Sequence, residues 1–438
     1  MNRLLLGFIL IAFGIGAFKA SQYHAAAGFQ ARPTWWERPP SQEAAPAKTS
    51  VEPGFQSRFA SSKRHIQTHA ASAIELKDGR IRAFWFSGSR EGAKDVEIHS
   101  AVFDPARGLW GAEQTVATRE DTEQSLVRYI SKLGNPVAGR AADGTLWLYY
   151  VTVSMGGWAG SSITAMTSND EGATWGPARR LITSPFLNIS TLIKGAPFLY
   201  RDGTLGLPVY HEFIGKFGEI LHLDQNGTVI DKQRLSAGKD RGLQPVLLVK
   251  NENEALVLMR HSGDEHRKVI GVSTDDGGQH WTAPAKSALS NPDAALSAVT
   301  LPDGRLLAVL NNQEQKRDTL SLMISADGGG TWKNVYQLED QQSEKLDEAH
   351  YLHTVAGLAK SMVANEVEEY AESAKAPMCA GNDCRFEFSY PYLIQARNGD
   401  FHLVYTWNRA FIKHLWFSRA WLEQCLKETP PANLSAHD

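Results

Sequence analysis

The chain has 438 residues, 42% hydrophobic, 10% aromatic and 21% charged, with a formal net charge of −3 at pH 7. The apolar fraction excludes a disordered chain, and a near-neutral charge without a basic cluster excludes nucleic acid as an expected partner. At this length one closed β-architecture accounts for most of the chain as readily as two or three average domains.

Arg3 precedes an apolar run from Leu4 to Phe18, closed by Lys19. The run fits the hydrophobic region of a secretory leader and is short for a bilayer span. Residues 1–20 are therefore expected to be a signal peptide or an N-terminal membrane anchor. The remainder is expected outside the cytoplasm, periplasmic or extracellular, with membrane attachment through this helix if it is retained. Residues 21–58 carry Pro33, Pro39, Pro40, Pro46 and Pro53 and read as a semi-extended linker.

From Phe59 onward the pattern is β. An octet of Ser/Thr, Asp, Gly, a polar residue and Trp at fixed offsets occurs three times. The copies are Ser168-Asp170-Gly172-Thr174-Trp175, Thr274-Asp276-Gly278-His280-Trp281 and Ser325-Asp327-Gly329-Thr331-Trp332. Each predicts a tight turn in which Asp accepts turn N–H groups and Gly takes a positive φ. A second series of turns, Asp78-Gly79, Asp143-Gly144, Asp202-Gly203, Asn251 to Glu254, Asp303-Gly304 and Asn398-Gly399, separates short β-rich runs. Six inner hairpins predict an all-β fold, a six-bladed β-propeller over residues 59–425, in which ring closure removes exposed sheet edges.

Between about 339 and 384 the composition turns rich in Glu, Ala and Lys, and Leu346 to Ala374 has helical character. This predicts a helical insertion before the last blade, either a lid on the ligand-facing rim or an exposed ornament. Cys379 and Cys384 flank a Gly-Asn-Asp loop and suit a small disulfide in an oxidising compartment, leaving Cys425 over. No Cys/His spacing of a zinc site occurs, so no metal or other cofactor is expected. Residues 426–438 read as a polar tail.

If the turns close one end of the ring, residues that start inner strands or end second strands gather at the other. These are His69, Asn135, Lys194, Gln244, Asn291 and Tyr390, and Arg90, Tyr150, His211, Glu212, Arg260, Asn312 and Trp407. So many polar, charged and aromatic groups favour a polar ligand, and aromatic faces beside Asn, Gln, Arg and carboxylates suit a carbohydrate. Cleavage of a glycosidic bond needs carboxyl groups flanking it, and Glu91, Asp95, Glu212, Asp264 and Glu387 are the candidates near that rim.

With the octets, the segments Gly88 to Gly92, Gly134-Asn135-Pro136, Gln244-Pro245, Asn291-Pro292, Glu387 to Pro391 and Tyr405-Thr406-Trp407 make the chain resemble the sialidase (neuraminidase) superfamily, in its Asp-box, BNR-repeat branch. The resemblance runs from His69 to His414. It implies three arginines that clamp a substrate carboxylate, a Tyr nucleophile paired with a Glu, and an Asp acid/base. Position by position, Tyr390 matches the nucleophile, Arg260 and Arg317 the second and third arginines, and Asp95 the acid/base. His69 stands where the first arginine belongs, and neutral Gln244 replaces the Glu. Arg90 or Arg409 is then the candidate to complete the clamp, and Glu212 the candidate base. Catalytic residues are thus expected at Asp95, Tyr390 and Glu212. Ligand contacts are expected from His69, Arg90, Glu91, Asn135, Lys194, His211, Gln244, Arg260, Asn291, Arg317, Trp407 and Arg409.

Three functions remain open at this point. The first is an exported, sialidase-like, exo-acting glycoside hydrolase on a glycan or exopolysaccharide carrying an acidic sugar. The second is a non-catalytic carbohydrate-binding propeller. The third is a polysaccharide lyase in which Tyr390 or His211 abstracts a proton α to a carboxylate.

Overall fold

A computed structural model describes residues 3–21, 27–31, 52–62, 65–184, 188–235, 241–263, 266–342, 346–360, 362 and 367–428. Helix α1 spans Arg3–Ser21. Among the described residues, no helix is long and apolar enough to cross a membrane.

Among the described residues, six antiparallel sheets of four or five strands follow, beside one two-stranded sheet, Cys379–Ala380 with Asp383–Cys384. The first blade runs Gln67–Glu75, Ile81–Gly88 and Glu97–Asp104, with Leu109–Trp110 and Gln114–Ala117 both pairing its third strand. Helix α2, Arg119–Leu126, leads to the second blade, whose inner strand is Lys132–Arg140. The third blade splits its inner strand into Leu192–Ile193 and Phe198–Leu199, both paired to Leu205–His211. The fourth and fifth blades begin at Gly242–Val249 and Ser297–Thr300.

The sixth blade, Phe388–Gln395, Phe401–Trp407 and Phe411–Phe417, takes its outer strand from the other end of the chain: Phe55–Phe59 pairs antiparallel with Phe411–Phe417. Of this strand only Phe59 falls in the expected propeller, and Phe55 to Arg58 fall in the expected linker. A ring closes only when its two ends share a sheet, and a five-residue strand shows too little periodicity to be seen in sequence. The linker region also contributes Phe29, which is 0% exposed against Phe198, Tyr200 and Trp281. Its N–H donates to Glu252 O at 2.8 Å, which docks this segment on the turn end of the third and fourth blades.

The turn series forms as its residues require. Gly79, Gly144, Gly203, Gly304 and Gly399 all sit at φ between 80° and 92°, where a Cβ would be strained. Each octet joins the third and fourth strands of its blade, and in the third copy Asp327 accepts from Ser325 Oγ, Thr331 N and Thr331 Oγ1 at 2.7–2.9 Å.

The opposite end carries a different device. In four blades a bulge places two inner-strand residues opposite one partner. The first of each pair is left-handed: Ala70 (φ 55°), Asn135 (43°), Gln244 (53°) and Tyr390 (54°). Three of the four second residues are proline, which fits because the extra residue owes no N–H to the ladder. Such bulges re-aim side chains, here toward the ring axis.

The insertion forms helices α3, Glu348–Ala359, and α4, Val367–Met378. Tyr351, Val355, Ala371, Ala374 and Met378 are buried in one cluster with Phe386 and Phe388, and Tyr370 stacks on Phe59 at 5.3 Å. That packing makes it part of the core rather than an exposed ornament. Cys379 and Cys384 are joined in a disulfide, and Cys425 is free and buried. Helix α5, Arg419–Glu428, runs past the expected propeller end at 425 and packs Trp421 on Phe55 and Phe417.

Candidate active site

Tyr390 occupies the bulge of the last inner strand, its backbone in the left-handed region that a bulky side chain adopts only when its surroundings impose it. Its phenol acts electrostatically on Arg260, Arg409 and Tyr210. Three guanidinium groups converge here. Arg260 donates from Nε to Asp293 Oδ1 at 2.6 Å and from Nη1 to Gln244 Oε1 at 3.3 Å. Arg317 lies 3.6 Å from Glu387 Oε1 and also donates to the Asp293 carbonyl. Arg409 donates from Nε to Glu387 Oε2 at 2.9 Å.

The local sequence explains how Arg409 arrives. Asn408 and Arg409 both have φ 53° and form a two-residue turn after Trp407, the mirror-image type for which Asn is suited. Asn408 exchanges backbone and side-chain bonds with Glu387, which binds the turn to the incoming strand. Burial opposes ionisation of Glu387, but Arg409 and Arg317 outweigh it and hold the carboxyl down to about 2. Glu387 thus serves as a permanent anion that spaces two arginines, and it also accepts from Ser389 Oγ at 3.0 Å.

Two other carboxyls respond in the opposite direction. Burial raises Glu91 above the ordinary carboxylate range, although Arg409, Arg317 and Arg260 pull it back. Burial likewise raises Glu212, with Arg260 and Lys216 opposing and Asp293 and Glu91 reinforcing. Glu91 and Glu212 therefore interact, so one of them holds a proton more readily while the other is ionised.

The floor is made of groups kept neutral or soft. Burial, reinforced by Arg409, lowers His69 to about 3, and its ring lies 4.4 Å from that of Tyr390. Burial lowers Lys194 to about 7; its Nζ donates to Ala71 O at 2.9 Å and stands 4.8 Å from the Tyr392 ring. Below them an axial channel of about 250 Å³ passes between apolar inner-strand residues such as Val246, Leu296 and Tyr392. Beside the arginines a groove of about 440 Å³ opens toward the insertion, between Lys316, Arg317, Arg385, Glu387 and Arg409.

The structure brings together Tyr390, Arg260, Arg317, Arg409, Glu91, Glu212, His69, Lys194, Gln244 and Asn135. Asn135 and Gln244 both donate toward Tyr210 OH, at 3.3 and 3.4 Å. Other expected residues have different partners. Asp95 is exposed and accepts from Ser89 N and Oγ at 2.9 and 2.8 Å, capping its own loop. Arg90 is exposed in that loop. His211 stacks on Phe217 at 4.8 Å and accepts from Ile214 N. Asn291 is fully buried and closes the turn that presents Asp293, through bonds with both polar groups of Ala294. Trp407 requires a correction: it is 0% exposed, packed on Phe59 and Phe411, so it contacts core and not ligand. Strand alternation turns its side chain between sheets. Asp264 lies outside the described residues.

Sequence reasoning missed Tyr210 and Asp293. Alternation along Leu205–His211 held the clue to the first, because a strand that turns Tyr210 to the axis turns His211 away. Nothing local marks Asp293, whose role depends on Arg260 in another strand.

These features define a six-bladed β-propeller with a cationic pocket at one end of its axis. The family of BNR repeat-like domains matches residues 79–403, and the chain belongs to that family. Among curated proteins, none matches the chain in sequence. Solved structures of similar fold include a Hadza microbial sialidase, at 14% identity and TM-score 0.61 over 83% of this chain and 68% of that one. A protein of unknown function from Dyadobacter fermentans is 13% identical, with TM-score 0.59 over 84% and 100% of the two chains. The intramolecular trans-sialidase of Ruminococcus gnavus, in complex with oseltamivir carboxylate, is 11% identical, with TM-score 0.59 over 85% and 98%. At such identities the likeness is one of fold.

Proposed function

We propose that the protein is an exo-acting glycoside hydrolase whose substrate carries an acidic sugar. The observation that carries this reading is the convergence of Arg260, Arg317 and Arg409 around Tyr390. Arginine forks bind a carboxylate through paired charge-assisted hydrogen bonds, so three of them fit one sugar carboxylate at fixed orientation. Tyr390 is the nucleophile at the anomeric carbon, and Glu212 receives its proton. Glu91, whose carboxyl burial raises above its ordinary range, protonates the departing glycosidic oxygen, the role that the superfamily resemblance gave to Asp95. The turn of Asn408 and Arg409 provides the arginine that His69 replaces on the first blade.

A neutral Gln244, engaged by Arg260 and bonded to Tyr210, favours a second reading in which the pocket binds an acidic glycan without cleaving it. A panel of sialyl, uronyl and neutral-sugar reporters decides between them. Turnover of an acidic reporter that disappears in Tyr390→Phe supports hydrolysis. Glycan binding that Arg260→Ala abolishes, with no turnover of any reporter, supports the second reading.

Export is part of the same proposal. It is supported by the Leu4 to Phe18 run and by the disulfide, which persists in oxidising compartments.

A further inference from the structure

We propose that His65, His99 and Glu113 form a binding site for one divalent transition-metal ion, zinc being the best match, which clamps the junction where the propeller closes. His65 lies on the connection from Phe55–Phe59, the last blade's outer strand, to Gln67–Glu75, the first blade's inner strand. His99 sits in the third strand of the first blade, and Glu113 immediately precedes its edge strand Gln114–Ala117. The connection that closes the ring thus meets two segments of the first blade's outer half at one point.

The geometry suits a small ion. His99 Nδ1 is 3.2 Å from Glu113 Oε1, His65 Nε2 is 3.8 Å from the same oxygen, and the three donor atoms all lie within 4.8 Å of one another. Tetrahedral zinc with bonds of about 2.0–2.2 Å holds its ligands roughly 3.3–3.6 Å apart, so only slight side-chain movement is required. The His99 and Glu113 side chains are 0% and 4% exposed and that of His65 is 19% exposed, and the three donor atoms themselves are buried from bulk water.

Surrounding groups hold the ligands as a metal site requires. Ser62 donates from both N and Oγ to Glu113 Oε2, at 2.8 and 2.7 Å, which leaves Oε1 directed at the two imidazoles. Glu97 Oε2 stands 3.6 Å from His99 Nε2, the nitrogen turned away from the site, and itself accepts from Thr115 Oγ1. At 3.6 Å that carboxylate lies beyond hydrogen-bond distance, so it would fix the tautomer of a ligating His99 only on moving closer. A simple imidazolium–carboxylate pair accounts for His99 and Glu113. It does not account for buried His65 Nε2, which has no hydrogen-bond partner among the described residues and lies 3.8 Å from the same Glu113 oxygen. Two imidazole nitrogens and one carboxylate oxygen select zinc, cobalt or nickel over calcium or magnesium, which prefer all-oxygen sites.

The test uses the full-length protein, stripped of metal and titrated with zinc chloride by calorimetry, and with cobalt(II) by visible absorption. One equivalent of zinc, visible bands of tetrahedral cobalt and a thermal midpoint raised by several degrees with zinc are expected. Glu113→Gln and His65→Ala should each weaken zinc at least tenfold and remove the midpoint shift. No stoichiometric uptake by folded wild type overturns the proposal. So does uptake that is unchanged in the variants, or uptake of calcium in preference to zinc. His65 is partly exposed on a connecting segment, so its alanine variant decides the matter if Glu113→Gln fails to fold.

Discussion

The two ends of the propeller use the same residue types for opposite purposes. At the turn end, Asp170, Asp276 and Asp327 are exposed or nearly so and spend their oxygens on the backbone and side chains of their own turns. The hydroxyl and amide of Thr174 hold Asp170 down to about 2, and the amide and hydroxyl of Thr331 hold Asp327 well below the ordinary range. At the pocket end, Glu91, Glu212 and Glu387 answer to arginines from other strands and blades, and burial pushes the first two up. A carboxylate saturated by neighbours in sequence is structural. Long-range pairing alone does not mark a site, since Glu75 at the turn end is held by Arg397; the pocket carboxylates differ in sharing several arginines around Tyr390. By that criterion Asp95, bonded to Ser89 six residues away, falls with the turn aspartates although it lies near the pocket rim.

The contrast breaks most visibly at Tyr390. Tyr390→Phe is expected to lower kcat on an acidic-sugar reporter on the order of 10³-fold or more, with circular dichroism and thermal midpoint unchanged. Full activity in that variant would remove the distinction between the two ends.

Glu91→Gln against Asp95→Asn comes next. The first should cost roughly 10²–10⁴-fold in kcat and flatten the alkaline limb of the pH–rate profile. Activity should fall as pH rises through the raised value of Glu91, because the proton donor is then lost. Asp95→Asn should leave that limb in place. The reverse pattern would return the acid/base role to Asp95.

Glu387→Gln tests the spacer between arginines and should cost about 1–3 kcal/mol in urea unfolding, since it leaves two half-buried arginines short of a partner and a buried amide in place of the anion. The sign of its pH dependence follows from its lowered value. Wild-type stability from this group is present above the unfolded carboxylate value of about 4.3 and is lost as pH falls toward about 2. The variant should lack that loss. The smallest effect belongs to the turn end: Asp327→Ala is expected to lower the thermal midpoint by a few degrees and leave kcat and KM unchanged.

Much of the scaffold was legible because its signals are local. A turn glycine at positive φ, an Asp that caps its own turn and a helix-forming run before the last blade each depend on residues a few positions apart. Tyr390, Asn135 and Gln244 were legible as pocket residues for a related reason. Each precedes a proline and, with Tyr390 and Gln244 anchored by the resemblance, marks the start of an inner strand. Arg409 was harder to place. Its direction depends on a mirror-image turn whose bonds run to Glu387, 22 residues earlier.

The sequence by itself determined the six blades and the helical insertion, since each rests on short-range spacing or on repetition; it marked Cys379 and Cys384 as able to pair and pointed to the end of the ring that carries the candidate pocket. Only the tertiary structure decided which groups meet. It set Arg317 and Arg409 on one carboxylate, turned Tyr210 inward, buried Trp407 in the core, retained Asp95 in its loop and drew Phe55–Phe59 into the last blade. Those outcomes depend on strand alternation, bulge register and ring closure, which couple residues hundreds of positions apart and leave no mark in any single stretch of chain.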